Sequence, residues 1–189
     1  MINAVLSPKT CRHCGTTFHP QRMMQAVCGP VCAGRKVRAD KKAKEIAERA
    51  LTRARRESLK TIHDRIREAQ TEFNGYIRLR DAAKPCICCN QPLGVDAVGG
   101  GFDCGHYRST GSASHLRFDE RNAHGQRKHC NRYGAGRAVD YRLGLIGRIG
   151  VDAVESLEAD NGVHKWEHAE LIAIKLVYRA KRRAMEATA

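Results

Sequence analysis

Four cysteines near the start of the chain stand in two close pairs, and this spacing constrains the fold more than any other feature. Cys11 and Cys14 are separated by two residues, and Cys28 and Cys32 by three. A CxxC turn lets two thiolates meet one tetrahedral ion, and a second close pair completes the coordination of structural zinc. Since four protein ligands leave no open position for chemistry, we predict a structural zinc module over residues 1–34. The alternative is a set of reduced cysteines without metal.

The chain holds nine cysteines in a sequence without recognisable export signals. No stretch is long and apolar enough to cross a bilayer, and the first residues lack the charged and apolar regions of a signal peptide. These features predict a cytoplasmic protein with no membrane association. Because cytoplasmic thiols are kept reduced, the cysteines favour metal binding over disulfides.

The charge of the chain indicates a polyanionic partner. The 34 Lys and Arg residues exceed the 20 Asp and Glu residues, and the formal net charge is +14. A protein of this charge is attracted to polyanions, and nucleic acid is the first candidate. An anionic membrane surface and a merely basic surface are the alternatives.

The residues between the two groups of cysteines have the composition of a long helix. Residues 35–84 are rich in Ala, Lys, Arg and Glu, which are good or tolerable helix formers. The first part, 35–56, is mostly charged, which predicts either a solvated helix or a segment partly disordered without DNA. The second part carries one apolar stripe, formed by Ile62, Ile66, Ala69, Phe73 and Ile77. We expect this stripe to pack on the second group of cysteines, and the helix to end at Pro85.

Short strands and further helices are predicted after Pro85. Residues 86–101 have the Gly, Pro and Asn content of a knuckle followed by a loop. Strands are expected over 102–108 and 116–126, and helices over 131–149, 151–157 and 166–185. Candidate core residues of the last helix are Leu171, Ile174, Leu176 and Tyr178. The predicted fold is mainly α with a small α+β core, in four parts: 1–34, 35–84, 85–150 and 151–189.

The middle of the chain combines zinc-type and catalytic-type side chains in a defined order. The CxxC pair of Cys86 and Cys89 comes first, and the later members are Asp103, His106, Asn122, His124, Cys130 and Asn131. This order resembles the ββα-metal site of HNH nucleases, in which a zinc knuckle holds a two-stranded hairpin to a helix. In such a site His106 is the general base and Asn122 orients it. Asp103 and Asn131 are then candidate ligands of a catalytic Mg²⁺ or Mn²⁺ ion, and His124 is a further member.

Phosphodiester cleavage explains why these residue types are needed. A base must deprotonate the attacking water, and a histidine can do so near neutral pH. A hard divalent ion must relieve the charge on the leaving oxygen, and a carboxylate is a suitable ligand for it. On a regular strand Asp103 and His106 point to opposite faces, so they converge only if the strand is bulged, which Gly105 would permit. Taken singly, His124 could be a packed side chain and Asn131 a helix N-cap.

Longer segments of the chain resemble the NinG family, also called Rap, of recombination endonucleases from lambdoid phages. The N-terminal cysteine module and the basic helix have the family's character. The most specific segments are 85–89 (PCICC), 103–108 (DCGHYR) and 116–124 (LRFDERNAH), with support from 145–150 and 164–166. The resemblance implies a structure-selective endonuclease of the host cytoplasm that acts on branched DNA, including D-loops and Holliday junctions.

One position departs from the pattern that this resemblance implies. Where the chain has Arg127, the family usually has a cysteine, so that two CxxC pairs hold its second zinc. Cys86, Cys89 and Cys130 remain, and the candidate replacements for the fourth ligand are His129, Cys88 and Cys104. We therefore expect one or two structural zinc ions, the second held more weakly.

Basic residues around the predicted site are candidate contacts to DNA phosphates, in addition to the basic helix: Arg108, Arg117, Arg121, Arg127 and Lys128. Phosphate contacts provide affinity with little sequence readout, which suits an enzyme that recognises DNA shape. The alternatives are a zinc-containing DNA-binding protein without catalysis and a ribosome-associated zinc protein that binds RNA. The sequence leaves the oligomeric state open, with a dimer as one option.

Overall fold

The computed structural model describes residues 6–94 and 101–188 of a mainly helical protein. The chain divides into two compact units, Met1–Leu59 and Lys60–Ala189. The first five residues of the predicted zinc module and residues 95–100 of the predicted loop lie outside the described residues. None of the described helices is long and apolar enough to span a membrane.

The first unit consists of a small cysteine knuckle followed by one long helix. Strands β1 (Lys9–Thr10) and β2 (Thr17–Phe18) pair antiparallel. Helix α1 (Pro30–Ser58) begins with proline, whose missing N–H costs nothing at a position where the helix has no acceptor for it. No residue of α1 is buried, so the solvated-helix alternative for residues 35–56 is the one observed.

The single helical segment predicted up to Pro85 is divided into two helices. Helix α2 (Ile62–Asp81) starts after Thr61, whose hydroxyl accepts a hydrogen bond from the Asp64 N–H. The Asp64 carboxylate in turn accepts a hydrogen bond from the Thr61 N–H, which completes a capping box. This cap fixes a helix start inside a segment of uniform composition. The helix ends at Asp81. Pro85 disfavours a helical backbone at the residue before it, so the helix could not continue through residue 84.

The apolar stripe predicted on α2 is confirmed as one side of the main core. Ala69, Phe73 and Ile77 are fully buried, and Ile62 and Ile66 pack beside them. The stripe packs mainly on the C-terminal helix, through Leu171 and Tyr178. Of the second group of cysteines, Cys104 packs against this core. Full burial of a side chain as large as Phe73 contributes about 1.5–3 kcal/mol to folding.

Helix α5 (His168–Ala187) supplies the other side of this core. Leu171 and Tyr178 are buried and Ile174 is partly buried, as predicted. Leu176 is 56% exposed, so its assignment to the core is wrong. Residues 171, 174 and 178 follow helical spacing along one face, whereas residue 176 falls outside that stripe.

A second core lies under two shorter helices, α3 (Ala138–Ile149) and α4 (Val151–Ala159). Its buried residues are Ile87, Ala113, Leu116, Tyr141, Leu145, Val154 and Leu157. The helix predicted over 131–149 is interrupted: a π-helical turn, His129–Tyr133, precedes α3. Ala135 and Arg137 have positive φ angles, which a continuous right-handed helix does not allow.

A two-stranded antiparallel sheet lies between the two cores. Strand β3 (Phe102–His106) pairs with β4 (Ala123–Arg127) in a regular register from Phe102 opposite Arg127 to His106 opposite Ala123. The strand predicted over 116–126 is therefore too long, since its first part forms a 3₁₀ turn, Ser114–Leu116, and connecting turns. Strand, strand, π-helical turn and α3 follow one another along the chain.

Candidate functional site

The four N-terminal cysteines predicted to bind zinc lie together. Their Sγ atoms are all within 4.8 Å of one another, with 3.7 Å between Cys14 and Cys28 and 3.4 Å between Cys28 and Cys32. The knuckle turn is closed by a hydrogen bond from the Gly15 N–H to the Cys11 carbonyl at 3.0 Å. Gly15 has φ 75°, a left-handed conformation that favours glycine. The residues present fit a tetrahedral ion such as zinc.

The pKa values of two of these thiols are shifted in opposite directions. A hydrogen bond from the Cys14 backbone N–H is the main reason that the pKa of Cys11 falls to about 6. The hydrogen bond with the Cys32 thiol is the main reason that the pKa of Cys28 rises to about 12. One thiol therefore ionises near neutral pH while its neighbour keeps a proton. A divalent ion favours the thiolate form of both.

A second group of cysteines in the described chain comprises Cys86, Cys89 and Cys130, whose Sγ atoms lie within 4.8 Å of one another. Cys86 and Cys130 are buried. The turn that carries the first two is closed by a hydrogen bond from the Asn90 N–H to the Cys86 carbonyl at 3.1 Å. The Arg127 N–H donates to Cys86 Sγ at 3.3 Å, so position 127 lies beside the group. Three thiolates could hold a zinc ion with one position left over.

The three candidates for the missing ligand lie outside this group. His129 is exposed, although it neighbours Cys130 in the chain. The Cys88 Sγ accepts a hydrogen bond from Gln126 Nε2 at 2.8 Å, and Cys104 packs against the main core from β3. Cys88 is nevertheless hydrogen-bonded to Cys86, so it lies nearer the group than Cys104, which faces the core.

Asp103 and Asn131, the two predicted ligands of a catalytic ion, are brought together. Asn131 Nδ2 donates to an Asp103 carboxylate oxygen at 3.0 Å, and both residues line a cavity of about 410 Å³. Arg132 donates to both Asp103 oxygens at 2.8 and 2.9 Å. Burial by itself raises the pKa of Asp103, but the hydrogen bonds from Arg132 and Asn131 outweigh burial and the pKa is lowered. The carboxylate is therefore charged at neutral pH.

His106, the predicted general base, lies at the end of β3 and is partly buried. Its ring stacks on Phe73 with 6.1 Å between centroids. Nε2 lies 3.0 Å from the Arg117 carbonyl oxygen, so the neutral ring donates from Nε2 and carries its lone pair on Nδ1. Burial is the main reason that the pKa of His106 is lowered. The ring is thus neutral near pH 7, and Nδ1 is the atom that can accept a proton.

Asn122 holds the loop between β3 and β4, and its side chain does not bond to His106 as expected. Its Oδ1 accepts a hydrogen bond from the Arg108 N–H at 2.8 Å. Its Nδ2 donates to the carbonyls of Arg108 and Leu116 at 3.0 and 3.1 Å. These bonds occupy the fully buried amide. Asn122 therefore positions the end of β3 through the backbone and not through the imidazole of His106.

The bulge that would bring Asp103 and His106 together is not formed. The strands pair regularly, with Asp103 opposite Gln126, so Asp103 and His106 lie on opposite faces. Gly105 is needed for a different reason, because a Cβ there would lie 2.1 Å from Gln126 Oε1. The space lets Gln126 donate to the Gly136 carbonyl at 2.9 Å, which connects β4 to the start of α3.

His124 is buried in a network of ionised side chains. Its Nε2 lies 3.1 Å from the Arg121 carbonyl, and its Nδ1 lies 3.1 and 3.3 Å from guanidinium nitrogens of Arg80 and Arg148. Burial is the main reason that its pKa is lowered. Both ring nitrogens are engaged, so the structure favours the interpretation of His124 as a packed side chain over a catalytic role.

The centre of this network is Asp81, a residue that sequence reasoning missed. The fully buried carboxylate accepts hydrogen bonds from Arg80 at 2.9 Å, Lys84 at 3.0 Å and the Gly125 N–H at 2.9 Å. Arg148 also donates to it, at 3.3 Å. In the sequence, Asp81 is one acidic residue among basic neighbours at a helix end. The partners that bury it come from 44 and 67 positions away, and no local pattern marks them.

Two of the five predicted phosphate contacts are used inside the protein. Arg108 donates to the carbonyls of Leu157, Glu158 and Asp160 at the C-terminal end of α4, where helix carbonyls have no partner within the helix. Arg117 donates to the Thr110 carbonyl at 3.1 Å and is half-buried. Both arginines thus have partners within the protein, and their contact with DNA stays a prediction.

The other three predicted phosphate contacts reach solvent. Arg121 is exposed and pairs with Asp119 at 2.6 Å. Arg127 and Lys128 lie at the end of β4 and are partly exposed.

Comparison with known proteins agrees with the sequence motifs. The family model described as Bacteriophage Lambda NinG protein matches residues 3–187. The protein ninG of Salmonella phage P22 is 38% identical to this chain, with 89% of the chain and 88% of the relative covered. The protein ninG of Escherichia phage lambda is 36% identical over 89% of the chain and 87% of the relative. The corresponding protein of Escherichia phage 933W is 35% identical over 92% and 91%.

No solved structure matches the chain significantly. The assignment to a family therefore depends on the sequence comparisons, which cover most of the chain and most of each relative. The chain belongs to the NinG family of bacteriophage proteins.

Proposed function

We propose that this NinG family member is a metal-dependent endonuclease that cuts branched DNA. The observation that carries the proposal is the meeting of Asp103 and Asn131 in one cavity, with His106 on the opposite face of the same short strand. The ββα order of β3, β4 and α3 supports it, because this order resembles that of HNH nucleases. The preference for branched DNA rests on the resemblance of the sequence to recombination endonucleases.

The residues present fit a hard divalent ion. Asp103 offers a charged carboxylate, and Asn131 keeps its amide oxygen available because its Nδ2 makes the bond to Asp103. Oxygen ligands of this kind suit Mg²⁺ or Mn²⁺. Such an ion would relieve the negative charge that develops on the leaving oxygen. Arg132 must release Asp103 for the ion to be held there.

In the proposed reaction His106 acts as the general base. Its Nδ1 takes the proton of the attacking water, while Nε2 stays bonded to the Arg117 carbonyl and fixes the ring. The lowered pKa keeps the imidazole unprotonated at neutral pH, which the base requires. Asn122 holds the loop on which this geometry depends.

The basic helix α1 supports DNA as the partner. It contains ten Lys or Arg residues against four Asp or Glu residues and has no buried residue, so these charges face solvent. Lysines and arginines in this arrangement neutralise phosphates without reading bases.

A zinc-containing DNA-binding protein without catalysis is the second candidate. The observation that favours it is the bidentate contact between Arg132 and Asp103, in which a guanidinium takes the place that a metal ion needs. Under this alternative Asp103 is a structural ion-pair partner.

Nicking of a supercoiled plasmid separates the two candidates. The wild-type protein is compared with Asp103→Asn and with a matched control, Asp152→Asn, which changes an exposed carboxylate of α4. Endonuclease activity predicts nicking by wild type and control with Mg²⁺ or Mn²⁺, none with EDTA, and a large loss in Asp103→Asn. Plasmid that is bound but not nicked with either ion supports the non-catalytic alternative and contradicts the proposal.

A further inference from the structure

A basic cavity of about 350 Å³ lies above the buried carboxylate of Asp81, on residues that the proposed reaction does not use. Four cationic side chains line it: Arg80, Lys84, Arg121 and Arg148. They come from the end of α2, the loop before β4 and the end of α3. Three separate segments of the chain therefore direct positive charge into one concave surface.

The positive charges in and around this cavity are not balanced by the carboxylates that face them. The cations are the four lining residues and Lys181, which pairs with Glu120 at 2.5 Å. The carboxylates are Asp81, Glu120 and Asp119. His124 accepts hydrogen bonds from two guanidinium groups and is neutral in that role. Five cations against three carboxylates leave two positive charges in excess.

Two of the cations are held rigidly. Arg80 is 19% exposed and donates to Asp81 and to the Ala123 carbonyl at 2.8 Å. Arg148 is 16% exposed and donates to the Pro85 carbonyl at 2.5 Å. Guanidinium groups fixed in this way lose little conformational entropy when an anion arrives. Lys84 and Arg121, at 47% and 51% exposure, stand where they can close on a ligand.

We propose that this cavity binds a phosphate group through Lys84, Arg121 and the fixed pair of Arg80 and Arg148. A tetrahedral oxyanion offers acceptors in several directions, and arginine donors match them well. The identification of this phosphate as a backbone phosphate of DNA rests on the proposed function. The cavity lies beside the start of β4, where His124 lines it, whereas Asp103 lies opposite Gln126 near the other end of that strand. The phosphate bound in the cavity is therefore a different one from the phosphate that is cut.

Thermal unfolding of the full chain tests the site with inorganic phosphate as the probe. The test variant is Lys84→Gln/Arg121→Gln, which spares the arginines that hold Asp81 but removes the Lys84 donor to it, so each protein is compared with itself in chloride. The control is Lys165→Gln/Arg183→Gln, an equal change of charge at exposed positions of the same unit. Phosphate is expected to raise the unfolding temperature of wild type and control by about 2 °C over chloride at equal ionic strength, and not that of the test variant. An equal rise in all three proteins overturns the proposal.

A second arm measures DNA affinity against salt for the same proteins. Loss of one phosphate contact is expected to lower the slope of log affinity against log salt by about 1, in the test variant but not in the control. If wild type binds DNA and the two variants behave alike, the site is wrong while the proposed function stands. If wild type does not bind DNA but the phosphate effect is lost only in the test variant, the site stands and takes free phosphate. Lys84→Arg/Arg121→Lys keeps the charges and should restore both effects.

Discussion

Asn131 donates a hydrogen bond at 3.0 Å to Asp103, a residue 28 positions earlier in the chain. The contact joins the first strand of the hairpin to the π-helical turn after the second strand. The contact places the Asp103 carboxylate and the Asn131 amide in the lining of one cavity, which Arg132 also lines. His106 lies on the other face of the strand. The base and the metal ligands of the proposed reaction therefore lie on opposite faces of β3.

Replacement of His106 separates catalysis from binding. His106→Ala should reduce the cleavage rate by about 100-fold or more, because in the proposed reaction His106 takes the proton from the attacking water. DNA affinity should stay close to that of wild type, since the basic helix α1 is unchanged. Rates and affinities are compared with His63→Ala, a change at an exposed histidine of α2. Near-normal cleavage by His106→Ala would show that another group is the base.

Arg108 should prove important for stability and not for DNA binding. Arg108→Met removes the donors to three carbonyls at the end of α4 and should lower the free energy of unfolding by about 1–3 kcal/mol. Denaturant unfolding measures this loss, with Arg183→Met as the control at an exposed site. A weakened DNA affinity with unchanged stability would restore the sequence-based assignment of Arg108 to phosphate contact.

The second cysteine group should bind zinc less tightly than the first. Arg127→Cys would place a thiol beside Cys86, because the Arg127 N–H already lies 3.3 Å from Cys86 Sγ. We expect this variant to retain more zinc per chain after mild chelation and to unfold at a higher temperature, since zinc stabilises the folded state that binds it.

Cys88→Ala provides the control for this experiment. The Cys88 thiol is not one of the three that meet, although it is hydrogen-bonded to Cys86, and we expect its loss to leave the number of zinc ions per chain unchanged. If wild type keeps two zinc ions as firmly as Arg127→Cys, and Cys88→Ala loses one, then Cys88 has taken the place of the missing ligand.

Acidification should destabilise the second unit through the partly buried His106 and the buried His124. Burial lowers the pKa of both His106 and His124 below the ordinary value of 6.5. Between the lowered pKa and 6.5 the unfolded chain binds more protons than the folded chain, so the free energy of unfolding falls as the pH falls through this range. Above pH 6.5 this contribution is fully present. Between pH 7.5 and 5, denaturant unfolding should show a smaller decrease in the free energy of unfolding for His106→Gln than for wild type. An equal decrease would contradict the lowered pKa of His106.

Features that depend on local spacing could be predicted from the sequence. The pairs at Cys11, Cys14 and Cys28, Cys32 form one group because each pair is set by a short turn. The stripe on α2 follows from helical periodicity. Motif order likewise predicts that Asp103 and Asn131 meet, as they do.

Features that depend on long-range packing could not be predicted. The burial of Asp81, the use of Arg108 to cap α4 and the exposure of Leu176 follow from which elements pack together. The bulge expected at Gly105 is another example, since only the structure reveals that Gln126 occupies the space above that glycine. Charged residues are ambiguous in sequence because the same side chain suits solvent, an ion pair or a helix end.

Cleavage of a Holliday junction compared with a linear duplex of the same sequence tests the central claim most directly. The protein is assayed with Mg²⁺, with Mn²⁺ and with EDTA, and His106→Ala purified in the same way controls for contaminating nucleases. We predict that wild type cuts the junction much faster than the duplex with a divalent ion, and that EDTA and His106→Ala abolish cutting. If wild type binds the junction but cuts neither substrate with either ion, or if His106→Ala cuts equally well, the protein is not the endonuclease described above.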